Sequence, residues 1–245
     1  FNATEDGQFI AANIDDCIPK GIGFAAISTT YAYDANGNLT KDTGKDIDTI
    51  YYNHLNLPYQ VIFSTGDTIE WLYDAAGMKL RKTVKESTTT RYTQDYMGGI
   101  EYRNSEVEAI YHAEGRATLE AGGTFLYEYT LKDHLGNSRV TFADRNGDHS
   151  IESNEILQES HYYPFGTNID RLSETYSRES NDYVYNGKEL NNDFGLGWMD
   201  YGARFYDAQI GRWGAVDPLA EKRYNIIPYI YVQNNPMLRI DPYGM

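Results

Sequence analysis

The sequence predicts an all-β fold, and its Tyr content, its Gly content and its repeat pattern each support this prediction. The chain contains 23 Tyr and 22 Gly residues but only 7 Pro residues. Tyr packs well on the pleated surface of a sheet, and Gly supplies the positive φ that tight hairpin turns need. Runs of alternating aromatic residues end repeatedly in turn-forming residues. We expect antiparallel hairpins and very little helix, in short stretches after Asp217 and near residues 152–158.

The composition excludes several classes of function. Of the 245 residues, 36 are acidic and 21 are basic, so the formal net charge is −15. This balance argues against nucleic-acid partners, because phosphate binding needs Lys and Arg to displace counterions, and equally against an anionic membrane surface. The single cysteine, Cys17, excludes an internal disulfide framework and a multi-cysteine zinc site. The chain begins at Phe1 without an initiator Met, and we expect it to be a piece of a longer protein.

Four segments repeat one hairpin pattern, with turns that begin at Asp34, Asn53, Asp74 and Asp133. The Asp side chain caps the turn through its own backbone, a following Gly takes the left-handed conformation, and a second strand returns. A single hairpin is only marginally stable in water, so such units must stack into a continuous sheet. We expect this sheet to curl like a shell, because curling limits its exposed edges.

These units and the C-terminal motifs resemble a known family. Tyr31-Ala-Tyr-Asp-Ala-Asn-Gly-Asn-Leu39 and its copies look like the YD repeats of bacterial Rhs proteins. Tyr183-Val-Tyr-Asn-Gly-Lys-Glu-Leu190 and the segment from Trp198 to Trp213 resemble the Rhs-associated core domain. Val216-Asp-Pro218, Asn235-Pro236 and Asp241-Pro-Tyr-Gly244 continue the resemblance, which covers the chain from about residue 30 to its end.

The resemblance implies an organisation in four parts. Residues 1–29 are an unassigned N-terminal segment, 30–143 a YD-repeat sheet, 144–182 a calcium-loop-like insertion and connection, and 183–245 the core domain. In Rhs and toxin-complex C proteins the repeats form a hollow shell around a C-terminal toxin, and the core domain plugs one end. The resemblance therefore implies two partners, an upstream YD-repeat shell and a C-terminal effector domain. It also implies a bacterial protein that is secreted or lies on the cell surface.

Residues 144–155 fit the twelve-residue calcium-binding loop, and a structural Ca²⁺ is the only cofactor that we expect. Such a loop carries oxygen ligands at positions 1, 3, 5, 7, 9 and 12, with Gly at position 6. His149 stands at the Gly position, and His adopts left-handed geometry less freely than Gly. The alternative is an ordinary acidic surface loop. The predicted ligands are Asp144, Asn146, Asp148, the Ser150 carbonyl, Glu152 and Glu155.

Two Asp-Pro steps, at Asp217 and Asp241, are candidates for catalysis. Paired carboxylates hydrolyse a peptide bond when they share one proton, because one deprotonates a water while the other polarises the scissile carbonyl. Sequence spacing does not show whether the two side chains meet. Both residues also have structural explanations, with Asp217 as the N-cap of a short helix and Asp241 as the start of a tight turn.

The resemblance implies a reaction for these residues. In Rhs cores and toxin-complex C proteins, cleavage follows a terminal Asp-Pro-x-Gly-Leu motif, and two aspartates form an aspartyl-protease-like pair assisted by an upstream Arg. The matching residues here are Asp217, Asp241 and Arg204, with Met245 in the Leu position as the cleavage site. Such self-cleavage is intramolecular, with no turnover of external substrates. The residues after Pro218 depart from the family's Gly-rich pattern, so a core that keeps the fold without the reaction is an open alternative.

A different class of function also fits the sequence. Tyr-rich sheets bind sugars by stacking aromatic rings on the pyranose face, which would make carbohydrate a partner. The alternative function is therefore a non-enzymatic secreted or cell-surface scaffold or carbohydrate-binding protein. In that case Asp217 and Asp241 only stabilise a helix start and a turn.

Overall fold

The computed structural model describes residues 2–3, 9–10, 29–120, 122–176 and 180–245. These residues form β-strands and short 3-10 turns, and the described part of the chain contains no α-helix. The strands are β1 (Asn2–Ala3), β2 (Phe9–Ile10), β3 (Tyr31–Tyr33), β4 (Leu39–Asp42), β5 (Ile47–Tyr52), β6 (Pro58–Phe63), β7 (Thr68–Tyr73), β8 (Lys79–Glu86), β9 (Thr89–Met97), β10 (Ile100–Arg103), β11 (Glu106–His112), β12 (Gly115–Leu119), β13 (Phe125–Lys132), β14 (Ser138–Phe142), β15 (Ile156–Glu159), β16 (Glu174–Thr175), β17 (Glu189–Asn191), β18 (Trp198–Asp200), β19 (Phe205–Asp207) and β20 (Arg212–Trp213).

One antiparallel sheet dominates the fold. It contains the 14 strands β3 to β16 in chain order, so that each strand pairs with the strand before it and the strand after it. Its edges are β3 and β16, and the described strands leave it open rather than closed into a barrel. Strands β17 to β20 form a separate four-stranded sheet, here called the core-domain sheet, and β1 pairs with β2. The predicted all-β fold, with hairpins stacked into one continuous sheet, is confirmed.

One hairpin turn recurs at eight places in the described chain. The N–H of its first residue donates to the carbonyl four residues later, and the N–H of its fourth residue donates back to the first carbonyl. That fourth residue always has a positive φ, and it is Gly everywhere except at Asn56. At the four predicted turns, the Asp or Asn Oδ1 also accepts two backbone N–H groups. The turns begin at Asp34, Asn53, Phe63, Asp74, Glu120, Asp133, Tyr163 and Val184.

Four of the eight turns begin without Asp or Asn and were not predicted, at Phe63, Glu120, Tyr163 and Val184. The last two have a Tyr directly before the turn and a Gly three residues after its start. Tyr162 Oη donates at 2.9 Å to the carbonyl five residues after Asp133, where an earlier turn begins. Tyr52 and Tyr73 make the equivalent bonds, to the carbonyls five residues after Asp34 and Asn53, at 2.7 and 2.9 Å. The spacing Tyr-x-x-x-Gly, without the Asp, is therefore the sequence signal for these units.

The main hydrophobic core lies between the large sheet and the core-domain sheet. Paired residues of antiparallel strands share a face, and the row Ile50, Val61, Ile69 and Val84 runs across four strands of the large sheet. All four side chains are at most 2% exposed. Four side chains from the segment 194–205 pack on this row and its neighbours, namely Phe194, Leu196, Trp198 and Phe205. The core-domain sheet is thus packed on one face of the large sheet.

Buried ion pairs also join the two sheets. Three lysines of the large sheet and its loops each lie beside carboxylates that belong to residues 183–245. Charges in a dry interface are stabilising only when they are paired, because desolvation of an unpaired charge is costly. The pairs are Lys45–Asp207 at 3.2 Å, Lys79–Asp200 at 2.6 Å, Lys79–Glu189, and Lys82–Asp193 at 3.4 Å.

The short helices that we expected are 3-10 turns. Residues Ala220–Lys222 form one after Asp217, and Ser153–Glu155 form another, which ends where β15 begins to pair with β14. The large sheet continues past residue 143, since β15 and β16 lie within the segment 144–182. Cys17 and most of the predicted segment 1–29 lie outside the described residues.

Candidate functional site

Arg204 is positioned by the core-domain sheet. It directly precedes β19, and it is only 3% exposed. Its guanidinium lies 4.3 Å from the centre of the Trp213 ring, on the neighbouring strand β20. Burial lowers the pKa of Arg204 to about 10, although two nearby aspartates oppose this shift. The side chain therefore remains a cation at neutral pH.

The Arg204 guanidinium contacts both candidate aspartates. Its Nη2 lies 3.5 Å from Asp217 Oδ2 and 3.8 Å from Asp241 Oδ2. Its other nitrogens bind backbone, with Nη1 donating to the Pro228 carbonyl at 2.9 Å and Nε donating to the Gly244 carbonyl at 2.7 Å. The structure thus brings together Arg204, Asp217 and Asp241, which are separated in sequence.

Asp217 closes a turn of its own. Its Oδ1 accepts the Leu219 N–H at 2.7 Å, and its own N–H donates to the Pro228 carbonyl at 3.2 Å. The 3-10 turn Ala220–Lys222 begins after Leu219, which occupies the N-cap position without a side-chain cap. The structural explanation of Asp217 as a helix N-cap is therefore replaced by an Asx-turn, in which Asp bonds the N–H two residues on.

Asp241 organises the last turn of the chain. Its Oδ1 accepts three consecutive backbone N–H groups, from Tyr243 at 3.1 Å, Gly244 at 2.7 Å and Met245 at 3.1 Å. In both aspartates Oδ1 stabilises local backbone while Oδ2 faces Arg204. The turn-stabilising role of each aspartate involves Oδ1, and the candidate catalytic role involves Oδ2. One side chain can therefore have both roles.

The carbonyls of the same turn are held by three different donors. Lys188 Nζ donates to the Pro242 carbonyl at 2.6 Å, and the backbone N–H of Ala203 donates to the Tyr243 carbonyl at 3.1 Å. The Gly244 carbonyl is the one bound by Arg204. Sequence analysis missed the contribution of Lys188, because 54 positions separate it from Pro242 and no local pattern marks the contact.

Arg204, both aspartates and Met245 line one cavity of about 500 Å³. Arg223 and Arg239 add further charged side chains to its lining. Most of the remaining lining is apolar, is called the apolar wall here, and comes from the chain between the two Asp-Pro steps. The apolar wall consists of Ala220, Ile226, Ile227, Pro228, Ile230, Val232 and Ile240.

The predicted calcium loop connects β14 to β15. His149 has a φ of 63°, the left-handed conformation expected at the sixth position. The Asp144 carboxylate accepts the N–H groups of Gly147 and His149 at 2.7 and 3.0 Å, and Glu155 Oε1 accepts that of Arg145 at 2.8 Å. Across the described ranges, no three His, Cys, Asp or Glu side chains are grouped so that they could hold a metal ion. Calcium binding stays a prediction.

No family model matches the chain, but individual proteins do. The chain is 28% identical over 236 residues to salivary gland surface protein 1 of Aedes aegypti and 27% identical over 230 residues to toxin subunit YenC1 of Yersinia entomophaga. It is 22% identical over 223 residues to the tRNA3(Ser)-specific nuclease WapA of Bacillus spizizenii. These matches cover 86%, 88% and 88% of this chain but only 6%, 22% and 8% of the three proteins.

Solved toxin-complex structures have the same fold. A TcdB2-TccC3-Cdc42 complex matches with a TM-score of 0.66 and 20% identity, over 89% of this chain and 13% of the matched chain. TcdB2-TccC3 without its hypervariable C-terminal region matches with a TM-score of 0.65 and 19% identity over the same shares, 89% and 13%. Among the described residues, no helix is long and apolar enough to span a membrane.

The repeat turns, the ordered C-terminal motifs and these similarities agree with one another. The turn that begins at Asp34 recurs through the large sheet, and the core-domain motifs form a second sheet packed on it. Both the relatives in sequence and the relatives in structure include toxin-complex proteins. In its sequence and in its fold, the chain therefore resembles Rhs-type YD-repeat proteins and toxin-complex proteins such as YenC1.

Proposed function

We propose that this chain is the C-terminal shell segment of a toxin carrier, and that its core domain releases a following effector by self-cleavage after Met245. The observation that supports cleavage is the contact of Arg204 with both Asp217 and Asp241 at a cavity that Met245 lines. The shell role is supported by the fold shared with toxin-complex structures. The partners are then an upstream YD-repeat shell and the effector, in a secreted or cell-surface bacterial protein.

The proposed reaction is hydrolysis of the peptide bond that follows Met245. One Oδ2, ionised, takes a proton from a water, and the resulting hydroxide adds to the Met245 carbonyl carbon. The other Oδ2, protonated, donates its proton to the carbonyl oxygen. When the C–N bond breaks, the departing nitrogen takes a proton and leaves as an amine, so one water is consumed for each bond cut. Arg204 assists by holding both carboxylates at the cavity, since its Nη2 contacts the Oδ2 atoms of Asp217 and Asp241.

The hydrogen bonds of the last turn position the scissile bond. Asp241 holds the N–H groups of residues 243–245, while Lys188, Ala203 and Arg204 hold the carbonyls of residues 242–244. A peptide fixed in this way loses little further freedom on reaching the reactive geometry, which is a large part of an intramolecular rate advantage.

The test is the intact mass of a chain extended through the residues that naturally follow Met245. We expect a cut after Met245 in the wild type and an uncut chain in Asp217→Asn and Asp241→Asn. Asn retains an Oδ1 that accepts the turn N–H groups but removes the second carboxylate oxygen. The matched control is Asp74→Asn, because Asp74 has the same Asx-turn role without lining the cavity, and Asn53 occupies that role naturally.

An extended wild-type chain that folds normally and stays uncut would contradict the self-cleavage proposal. The scaffold or carbohydrate-binding function would then be the better-supported one. That alternative draws support from the stacked pair Tyr51 and Tyr59, whose ring centroids are 6.0 Å apart and whose side chains are 44% and 43% exposed.

A further inference from the structure

Two isoleucines of the apolar wall beside Arg204 are exposed to solvent. Ile227 is 65% exposed and Ile240 is 49% exposed, and both line the cavity. Single exposed apolar residues are ordinary on a protein surface, but a concave apolar group beside polar side chains is typical of a binding site. Its volume of about 500 Å³ lies in the range of about 300–1,000 Å³ that is usual for ligand pockets.

The chain itself leads into this cavity. Asp241 Oδ1 accepts the Met245 N–H, and Arg204 Nε donates to the Gly244 carbonyl, so the peptide that enters Met245 is held on both sides. Met245 lines the cavity and is 41% exposed. A residue joined to Met245 therefore starts beside the cavity that Ile227 and Ile240 also line.

Arginines outnumber aspartates among the charged side chains that line the cavity. Arg223 and Arg239 line it together with Arg204, against the carboxylates of Asp217 and Asp241. A cationic side chain entering the cavity would meet these guanidinium groups and would also lose hydration, which is costly for a charge. An apolar side chain would instead cover Ile227 and Ile240 and remove their surface from water.

We propose that this cavity is a subsite that binds an apolar side chain of the residue immediately after Met245, and that it selects against polar and basic residues there. The inference rests on the proposed self-cleavage, whose substrate preference it specifies. The isoleucine wall supplies the affinity for the side chain, and the hydrogen-bonded turn supplies its orientation. Binding in this subsite places the Met245 carbonyl against Arg204 and the two aspartates.

The first experiment measures the rate of self-cleavage by intact mass in extended chains that differ only in the residue after Met245. Leu and Asn are compared, because they have a similar shape and differ in polarity. We expect the Leu chain to be cut on the order of 10-fold faster than the Asn chain, the usual scale of discrimination by a hydrophobic pocket. In the Leu chain, Ile227→Asn and Ile240→Asn should slow the cut, whereas Leu238→Asn, an exposed residue outside the cavity, should not.

A second measurement keeps the subsite testable when no chain is cut. A fluorinated Phe is placed directly after Met245 in the Asp241→Asn chain, and its fluorine NMR signal is recorded. A signal of a buried ring that moves to the solvent-exposed position on Ile227→Asn supports the subsite, even if the cleavage proposal has failed. A solvent-exposed signal in the parent chain overturns the subsite. Equal cutting of the Leu and Asn chains, unaffected by Ile227→Asn, overturns it while leaving self-cleavage intact.

Discussion

At the residue scale, the two oxygens of each candidate aspartate have separate contacts. Asp241 Oδ1 accepts three N–H groups and Asp217 Oδ1 accepts one, while both Oδ2 atoms lie within 4 Å of Arg204 Nη2. A residue that stabilises a turn is therefore not excluded from catalysis. The same division explains why Asn is the informative replacement at both positions, since it keeps the turn-forming oxygen.

Gly37 gives a prediction at this scale, because its turn is packed against the loop that carries Asp217. A Cβ there would lie 2.5 Å from Tyr229 Oη and 2.7 Å from Val216 Cγ2. Gly123 has the same turn and nearly the same φ, 80° against 81°, but a Cβ there meets nothing within 4 Å. We expect Gly123→Ala to lower the free energy of unfolding by about 1–2 kcal/mol from left-handed strain. Gly37→Ala should cost about 1–3 kcal/mol more, from overpacking.

Urea unfolding of the two glycine variants measures the difference. Equal losses of unfolding free energy in Gly37→Ala and Gly123→Ala would show that the contact with Tyr229 and Val216 relaxes without cost. A larger loss in Gly123→Ala would contradict the prediction outright.

At the scale of elements, one turn explains most of the large sheet. Its two backbone hydrogen bonds form whether its first residue is Asp, Asn, Phe, Glu, Tyr or Val. The positive φ at its fourth residue is the common requirement, and Gly meets it without strain. Asp adds side-chain bonds to a turn that the backbone can already make. Sequence analysis therefore found the units with Asp or Asn and missed those at Phe63, Glu120, Tyr163 and Val184.

The calcium prediction belongs to this scale, because the loop joins two neighbouring strands. The Ala143 N–H donates to the Glu155 carbonyl at 3.0 Å and closes the loop between β14 and β15. We expect Ca²⁺ to raise the free energy of unfolding, by about 2.7 kcal/mol at a concentration 100 times the Kd. Glu155→Gln should abolish this effect, whereas Glu86→Gln, on an exposed hairpin, should not. Thermal unfolding with added Ca²⁺ or a chelator tests this, and identical midpoints in the two conditions would refute calcium binding.

At the scale of the whole molecule, buried ion pairs fasten the core-domain sheet to the large sheet. Glu189 contacts Lys79, lies 3.7 Å from Lys82, and accepts a hydrogen bond from Tyr96 Oη at 2.6 Å. Burial raises the pKa of Glu189, but the two lysines and the hydrogen bonds outweigh it, so the pKa lies below its ordinary value. Glu101 and Asp182 face the same interior, and there burial prevails and raises their pKa values.

These shifts give a pH dependence with a defined sign. A carboxyl whose pKa is lowered by folding contributes stability above its unfolded pKa, and loses it as the pH falls through the folded value. For Glu189 that window lies below about pH 4.3. Glu101 and Asp182 act in the opposite direction, because protonation relieves the cost of burying their charge. Removing the Glu189 charge should therefore matter most at neutral pH.

We expect Glu189→Gln to lower the free energy of unfolding at neutral pH by at most about 3–5 kcal/mol, because it removes one of the two carboxylates that pair with each of the buried lysines, Lys79 and Lys82. The loss should shrink at acid pH. The control is Glu86→Gln, whose exposed contact with Arg91 at 3.6 Å should contribute at most about 1 kcal/mol. Urea unfolding at neutral and acid pH measures both variants. A loss in Glu189→Gln that is the same at both pH values would show that the charge is not responsible.

The fold was predictable where its cause is local. The turn at Asp34 depends on hydrogen bonds that span at most four residues, so Asp, Gly and the preceding Tyr mark it directly in the sequence. The site was predictable only through the resemblance, which named Arg204, Asp217 and Asp241. Their meeting depends on β19, on the loop after Asp217 and on the last turn, and no spacing encodes it. Lys188 carried no signal, since its role arises from a contact across 54 positions.

The sequence by itself determined the hairpins, because turn geometry and strand alternation are set by neighbouring residues. It also indicated that these hairpins stack into one continuous sheet, since a single hairpin is only marginally stable in water. Only the tertiary structure decided that both Oδ2 atoms meet one guanidinium, and that exposed isoleucines line the same cavity. Those contacts follow from docking the core-domain sheet on the large sheet, where burial of Trp198 and Phe205 and pairing of Glu189 with Lys79 fix one relative position. Local propensity does not contain that information, because the residues involved come together only when the whole interface forms.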